Sequence, residues 1–116
     1  MAVSHVLTEE TDSCFVMHLN GEVDVYCGPD LKKQIDEVLE REGTTRLVFD
    51  LKDTDYLDST TLGIMIGTCK RMQEANGNLA INCPSERIRR VFWITGLDRI
   101  FDIYDNLNDA ANAVSS

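Results

Sequence analysis

The sequence predicts an α/β domain: a mostly parallel central β-sheet with an N-terminal edge hairpin and about four helices. Three observations carry this. From residue 29 onward, short apolar runs alternate with segments of helical period, the pattern of strands joined by crossover helices. Two of the runs, residues 46–51 and 79–83, are apolar almost throughout, as in strands covered on both faces. Before residue 29, two strand-like segments follow each other with no helical segment between them, as a hairpin requires. At 116 residues the chain, 1–116, is expected to be a single domain of common size.

Taken in order, residues 3–7 are expected to form a weak strand, residues 9–13 a polar turn, and residues 14–19 a stronger strand. His18 falls in that second strand with no catalytic partner evident, and is read as structural. Gly21-Glu22-Val23-Asp24 breaks the strand. A helix is expected from Pro29, a residue favoured in the first helical turn. Leu31, Ile35, Val38 and Leu39 line one of its faces, and Gly43 is the expected C-cap. The strand at 46–51 leads through a polar stretch into a central helix over 60–75, stopped by Asn76-Gly77. That helix is apolar nearly all round at its start (Leu62, Ile64, Met65, Ile66) and polar at its end, so it emerges from the core into solvent.

After the strand at 79–83, Pro84 and Ser85 open a third helix with Ile88, Val91, Phe92 and Thr95 on one face and Gly96 at its end. Trp93 falls off that face, partly exposed, and is expected to pack against the next loop. A last strand over 100–104 and a short helix over 108–114 complete the chain.

Composition narrows the function classes. Net charge is −9, which disfavours nucleic acid and anionic membrane surfaces, both of which select basic patches. The one basic cluster, Arg87, Arg89 and Arg90, sits on a predicted helix and is read as a solvated face. No apolar run approaches the length of a membrane span and no signal pattern opens the chain, so a cytoplasmic protein is expected. The four cysteines (Cys14, Cys27, Cys69, Cys83) are far apart, without the paired spacing of a zinc site. They read as small core hydrophobes, and neither metal nor cofactor is expected.

The chemistry concentrates at Asp58-Ser59-Thr60-Thr61, between an apolar strand and an apolar helix start. Such side chains cap helices by accepting bonds from first-turn amides, and spacing alone favours a plain cap over anything more. A helix N-terminus also favours negative charge, so a phosphate on Ser59 would fit there. Sites in parallel sheets lie beyond the carboxyl ends of strands. Both 21–24 and 58–61 follow strands, which puts the two polar loops on one edge. Other chemistries fail. There is no G-x-S-x-G elbow to make Ser59 a hydrolytic nucleophile, and no Gly-rich phosphate loop. A phospho-acceptor role for Asp50 needs acidic magnesium ligands at the end of the first strand, where the chain reads Leu19-Asn20-Gly21.

Four segments together, Leu19-Asn-Gly-Glu-Val-Asp24, Leu47-Val-Phe-Asp-Leu51, Tyr56-Leu-Asp-Ser-Thr-Thr-Leu-Gly63 and Arg87-Ile-Arg-Arg-Val-Phe-Trp-Ile-Thr-Gly-Leu97, resemble the bacterial anti-sigma-factor antagonists, which are stand-alone STAS domains. The resemblance runs in order along nearly the whole chain, and the Asp-Ser pair at a strand-to-helix turn is its most specific part. It implies a non-enzymatic partner switch. The unphosphorylated antagonist binds an anti-sigma factor that is also a serine kinase, freeing a sigma factor. Phosphorylation at the serine after the motif aspartate, here Ser59, ends binding, and a PP2C-type phosphatase restores it. By the same resemblance the partner surface comprises Asp24 and its loop with Asp58, Thr60, Thr61 and Gly63. The sequence shows no obvious self-association stripe, so a monomer is expected when the protein is free.

One position departs from the family's usual Asp-Ser-Ser/Thr-Gly-Leu-Gly: Thr61 stands where the first glycine belongs. It is expected to add bulk beside Ser59 and to offer, with Thr60, a competing acceptor hydroxyl. Two other readings stay open: a non-switching STAS scaffold subunit of a signalling or lipid-transport complex, and a small nucleotide- or anion-binding domain.

Overall fold

The computed structural model describes residues 5–41 and 46–115, and within them seven strands and four α-helices follow in order. They are β1 (Val6–Glu10), β2 (Phe15–Leu19), β3 (Gly21–Val23), α1 (Gly28–Leu39), β4 (Arg46–Asp50), β5 (Thr54–Leu57), α2 (Ser59–Glu74), β6 (Asn78–Asn82), α3 (Glu86–Thr95), β7 (Asp102–Tyr104) and α4 (Leu107–Ser115). The main sheet has the order β1-β2-β4-β6-β7. Its β1–β2 edge is an antiparallel hairpin and its other pairs are parallel, as the sequence predicts.

The two faces of β4 show why its centre, Leu47–Phe49, is apolar on both sides. Leu47 and Phe49 join Met17, Leu19 and Ile81 against Leu31 and Ile35 of α1, Met65 of α2 and Phe92 of α3. Val48 points the other way, with Val16 and Ala80, onto Ala110 and Val114 of α4. Each large side chain buried in this way contributes about 1.5–3 kcal/mol. Phe101 meets Phe92 edge-on at 6.0 Å between ring centroids, closing the core below α3.

Several expectations need correction. The first strand runs from Val6 to Glu10, so Glu9 and Glu10 belong to a strand rather than a turn. Their carboxylates are tolerated because β1 is an edge with exposed side chains, and charged edges are common. Residues 3, 4 and Gly43 lie outside the described residues. Within them, α1 ends on the backbone of Glu40. Residues 21–24 are not merely a break. Gly21–Val23 forms β3, which pairs in parallel with a strand the sequence reading missed, β5. Gly21 has φ +73°, a conformation that favours glycine, and there the chain leaves the main sheet for this two-stranded annex. In α3, Phe92 faces the core while Trp93, one residue and about 100° further round, is 71% exposed. It does not pack against the next loop as a buried residue would.

Polar groups also cross the sheet. The β2–β4 register sets His18 beside Asp50, and the imidazole lies between two carboxylates. Nδ1 is 2.7 Å from Asp50 Oδ2 and Nε2 is 3.0 Å from Glu9 Oε1. Asp50 in turn accepts from Asn82 Nδ2 at 2.8 Å and from the Lys52 amide at 3.1 Å. Only the imidazolium can donate at both ring nitrogens. Burial is the largest single influence on His18 and lowers its pKa, but the hydrogen bonds and charges of Glu9 and Asp50 together raise it above 6.5. A raised folded pKa stabilises the protein fully below the unfolded value and loses that contribution as pH rises through the folded value. The stability lead of wild type over His18→Gln, measured by thermal unfolding, is therefore expected to be largest near pH 6 and to shrink as the pH rises above 6.5. A lead constant with pH would contradict this account.

Candidate functional site

Pairing of β3 with β5 builds the site. Val23 lies opposite Leu57 in parallel register, so the residues that follow each strand, Asp24 and Asp58, leave the annex side by side. The two polar loops thus share one edge. Asp24 shapes its own loop: its Oδ1 accepts the Tyr26 amide at 3.0 Å and its carbonyl accepts the Cys27 amide at 3.0 Å. That turn throws Val25 and Tyr26 outward, 54% and 88% exposed.

On the other side, Asp58 is the N-cap of α2. Its backbone is extended (φ −94°, ψ 175°) and its Oδ1 accepts the Thr61 amide at 2.8 Å. Capping therefore belongs to Asp58, and Ser59 is the first helical residue. The Ser59 side chain is exposed, and its hydroxyl makes no hydrogen bond among the described residues. The plain-cap reading of Ser59 does not hold, because its neighbour does that work. The Ser59 and Thr60 amides likewise have no protein acceptor among the described residues, leaving the positive end of the helix dipole open to solvent.

The motif hydroxyls differ sharply in setting. Thr60 is exposed, whereas Thr61 is 0% exposed and donates from Oγ1 to the Val23 carbonyl at 3.1 Å. Thr61 therefore offers neither a surface contact nor an accessible acceptor hydroxyl, contrary to the sequence expectation. Gly63 is exposed, with open space where a Cβ would stand. Alongside it, α1 and α2 leave a groove of about 350 Å³ floored by Ile35, Ile64 and Gly67, with Lys32, Asp36 and Arg71 at its rim. Arg71 and Asp36 bridge the two helices at 2.6 Å. A shallower continuation reaches Val25 and Pro29, joining groove and loop.

Val25, Tyr26 and Tyr56, exposed hydrophobics on the Asp24 loop and on β5, were not singled out from the sequence. Large apolar side chains beside a polar loop were the available signal. Of the three clustered arginines, Arg87 and Arg90 are exposed, as the solvated-face reading expects, although Arg87 also donates to the Asp55 carbonyl at 2.9 Å; Arg89 is half-buried and donates to the Cys83 carbonyl at 2.9 Å. All four cysteines are free. Cys14, Cys69 and Cys83 are buried and Cys27 half-buried, and burial pushes the Cys83 thiol up to about 11. Among the described residues no cluster of histidine, cysteine or acidic side chains is placed to hold a metal, and no helix is long and apolar enough to cross a membrane.

A mostly parallel sheet whose small annex presents two acidic loops, a free serine and an apolar groove on one edge defines a class of α/β domains suited to protein recognition. Comparison with known proteins makes the class specific. Residues 5–110 match the STAS domain model, and the chain belongs to the STAS domain family. It is 36% identical over 99 residues to the anti-sigma-B factor antagonist of Bacillus subtilis (strain 168), covering 85% of this chain and 89% of that one. The TM1081 protein of Thermotoga maritima superposes with a TM-score of 0.86 at 28% identity, covering 96% and 95% of the two chains. The anti-sigma factor antagonist SpoIIAA in its unphosphorylated form shares the fold, with a TM-score of 0.73 at 19% identity over 92% and 94% of the two chains.

The cap is directly testable. Asp58→Ala should cost about 1 kcal/mol, roughly 4 °C in Tm, whereas Ser59→Ala should be nearly neutral in thermal unfolding. Equal losses from the two would contradict the assignment of the cap to Asp58.

Proposed function

We propose that this protein is an anti-sigma factor antagonist that works as a phosphorylation-controlled partner switch. Unphosphorylated, it binds an anti-sigma factor that is also a serine kinase, and so releases a sigma factor. Phosphorylation at Ser59 abolishes that binding, and a PP2C-type phosphatase restores it. The protein acts in the cytoplasm as a monomeric single domain, and its own role is binding rather than catalysis. The observation that carries this reading is the free Ser59 hydroxyl at the first position of α2, capped by its neighbour and set beside the Asp24 loop. The kinship with antagonists described above supplies the partner class.

The electrostatics support a switch that leaves the fold in place. A phosphate adds about −1.5 to −2 charges at neutral pH. The open amides and dipole at the start of α2 favour charge there by about 0.3–1 kcal/mol, so the helix itself does not oppose the modification. A partner docked over this edge meets the new charge beside Asp24 and Asp58, and like charges brought together in an interface cost several kcal/mol. Asp24, Asp58, Thr60 and Gly63 form the polar part of that surface. Val25, Tyr26 and the α1–α2 groove supply apolar anchors of the kind that dominate interface energetics.

The test is calorimetric titration of the cognate anti-sigma factor with wild type, Ser59→Ala and Ser59→Asp. Binding within about twofold of wild type for Ala, and at least roughly thirtyfold weaker for Asp, is expected. Equal affinity for all three would favour the non-switching scaffold reading. Saturable stabilisation by a nucleotide, with no affinity for the anti-sigma factor, would favour the small-ligand reading.

A further inference from the structure

We infer that Thr61 is a positioning residue: its buried hydroxyl closes a hydrogen-bonded ring with Val23 and Asp58 that holds the Asp24 loop in register with Ser59. The inference rests on the proposed reading of this edge as the partner surface, and adds the device that keeps its two halves together.

The ring has three members. The Thr61 amide donates to Asp58 Oδ1 at 2.8 Å. The Asp58 amide donates to the Val23 carbonyl at 3.3 Å. The Thr61 hydroxyl donates to the same carbonyl at 3.1 Å. Val23 ends β3 and Asp58 caps α2. Asp24 and Ser59 each follow a ring member directly, so the ring fixes where both emerge.

Other threonines show that this bond is not routine helix chemistry. In the same helix Thr68 donates back to the Ile64 carbonyl at 2.8 Å, and in α3 Thr95 donates to the Val91 carbonyl at 2.7 Å. Both are ordinary bonds to the preceding turn. Thr61 sits too near the start of α2 for its hydroxyl to find that turn within the helix, and it reaches across to another strand instead. Its complete burial requires the hydroxyl to be paired. A glycine here, as the resemblance leads one to expect, would leave the Val23 carbonyl with only the longer Asp58 amide bond. The position therefore trades backbone freedom for a tie between annex and helix. It also removes Thr61 as a phosphorylation target, since modification would break the ring.

Hydrogen exchange on the free 116-residue chain tests this without any partner, so its outcome is independent of the antagonist reading. The reporting amides are those of Tyr26, Cys27, Asp58 and Thr61, each bonded within the two loops. In Thr61→Val, which keeps the branched shape and removes the hydroxyl, these amides should exchange roughly tenfold faster. Amides of β4 and β6 should keep their wild-type rates, and Thr61→Ser should restore protection at the reporting amides. Should the Val variant fail to fold, Thr61→Ala against Thr61→Ser poses the same question, with only Ala losing protection. Unchanged exchange at the reporting amides in the hydroxyl-less variant would overturn the inference. So would an equal acceleration throughout the chain, or a Ser variant as fast as Val or Ala.

Discussion

Everything distinctive about this molecule depends on two very short strands finding each other outside the main sheet. β3 has three residues and β5 has four, too few to stand alone in water. They are held from both sides. The Gly21 amide donates to the Asp53 carbonyl at 2.8 Å, the buried Thr54 hydroxyl donates to the Leu19 carbonyl, and Val23 and Leu57 bury their side chains in the main core. Because the pairing is parallel, both strands end at the same place. A motif split between residues 24 and 58 becomes one surface through that geometry alone.

The surface that results separates tasks between adjacent residues. Asp58 satisfies the helix start, Thr61 ties it to β3, and Ser59 is left exposed with no structural duty. A residue free of structural duty can be modified without unfolding what it stands on. That is the physical requirement for a switch whose message is charge rather than shape. The same division explains why the groove between α1 and α2 stays open next to the serine: Gly63 and Gly67 present no side chains toward it, while the Arg71–Asp36 pair spans its far end.

Legibility in the sequence followed the strength of local signals. β4 and β6 stood out because each has an unbroken apolar centre, Leu47–Phe49 and Leu79–Ile81, and Asn76-Gly77 and Gly96 ended their helices as expected, Asn76 and Gly96 both adopting positive φ. The Asp-Ser motif marked the turn at which β5 passes into α2. What escaped was set by distance along the chain or by brevity. β5 carries Asp55 and Tyr56 between Thr54 and Leu57, with no apolar run to mark it. The His18–Asp50 bond links residues 32 apart, and the Thr61–Val23 bond links residues 38 apart. No spacing rule joins either pair. Thr61 looked like a surface hydroxyl because it follows two exposed ones, and only the helix turn reveals that it points inward.

The central claim, that Ser59 carries a reversible charge, is tested most directly by phosphopeptide mass spectrometry on the protein isolated from its own cells under growth and stress. The account predicts partial phosphate on Ser59 whose occupancy changes with condition, and none on Thr61. Ser59 unmodified under every condition, or phosphate residing on Thr61, would contradict it.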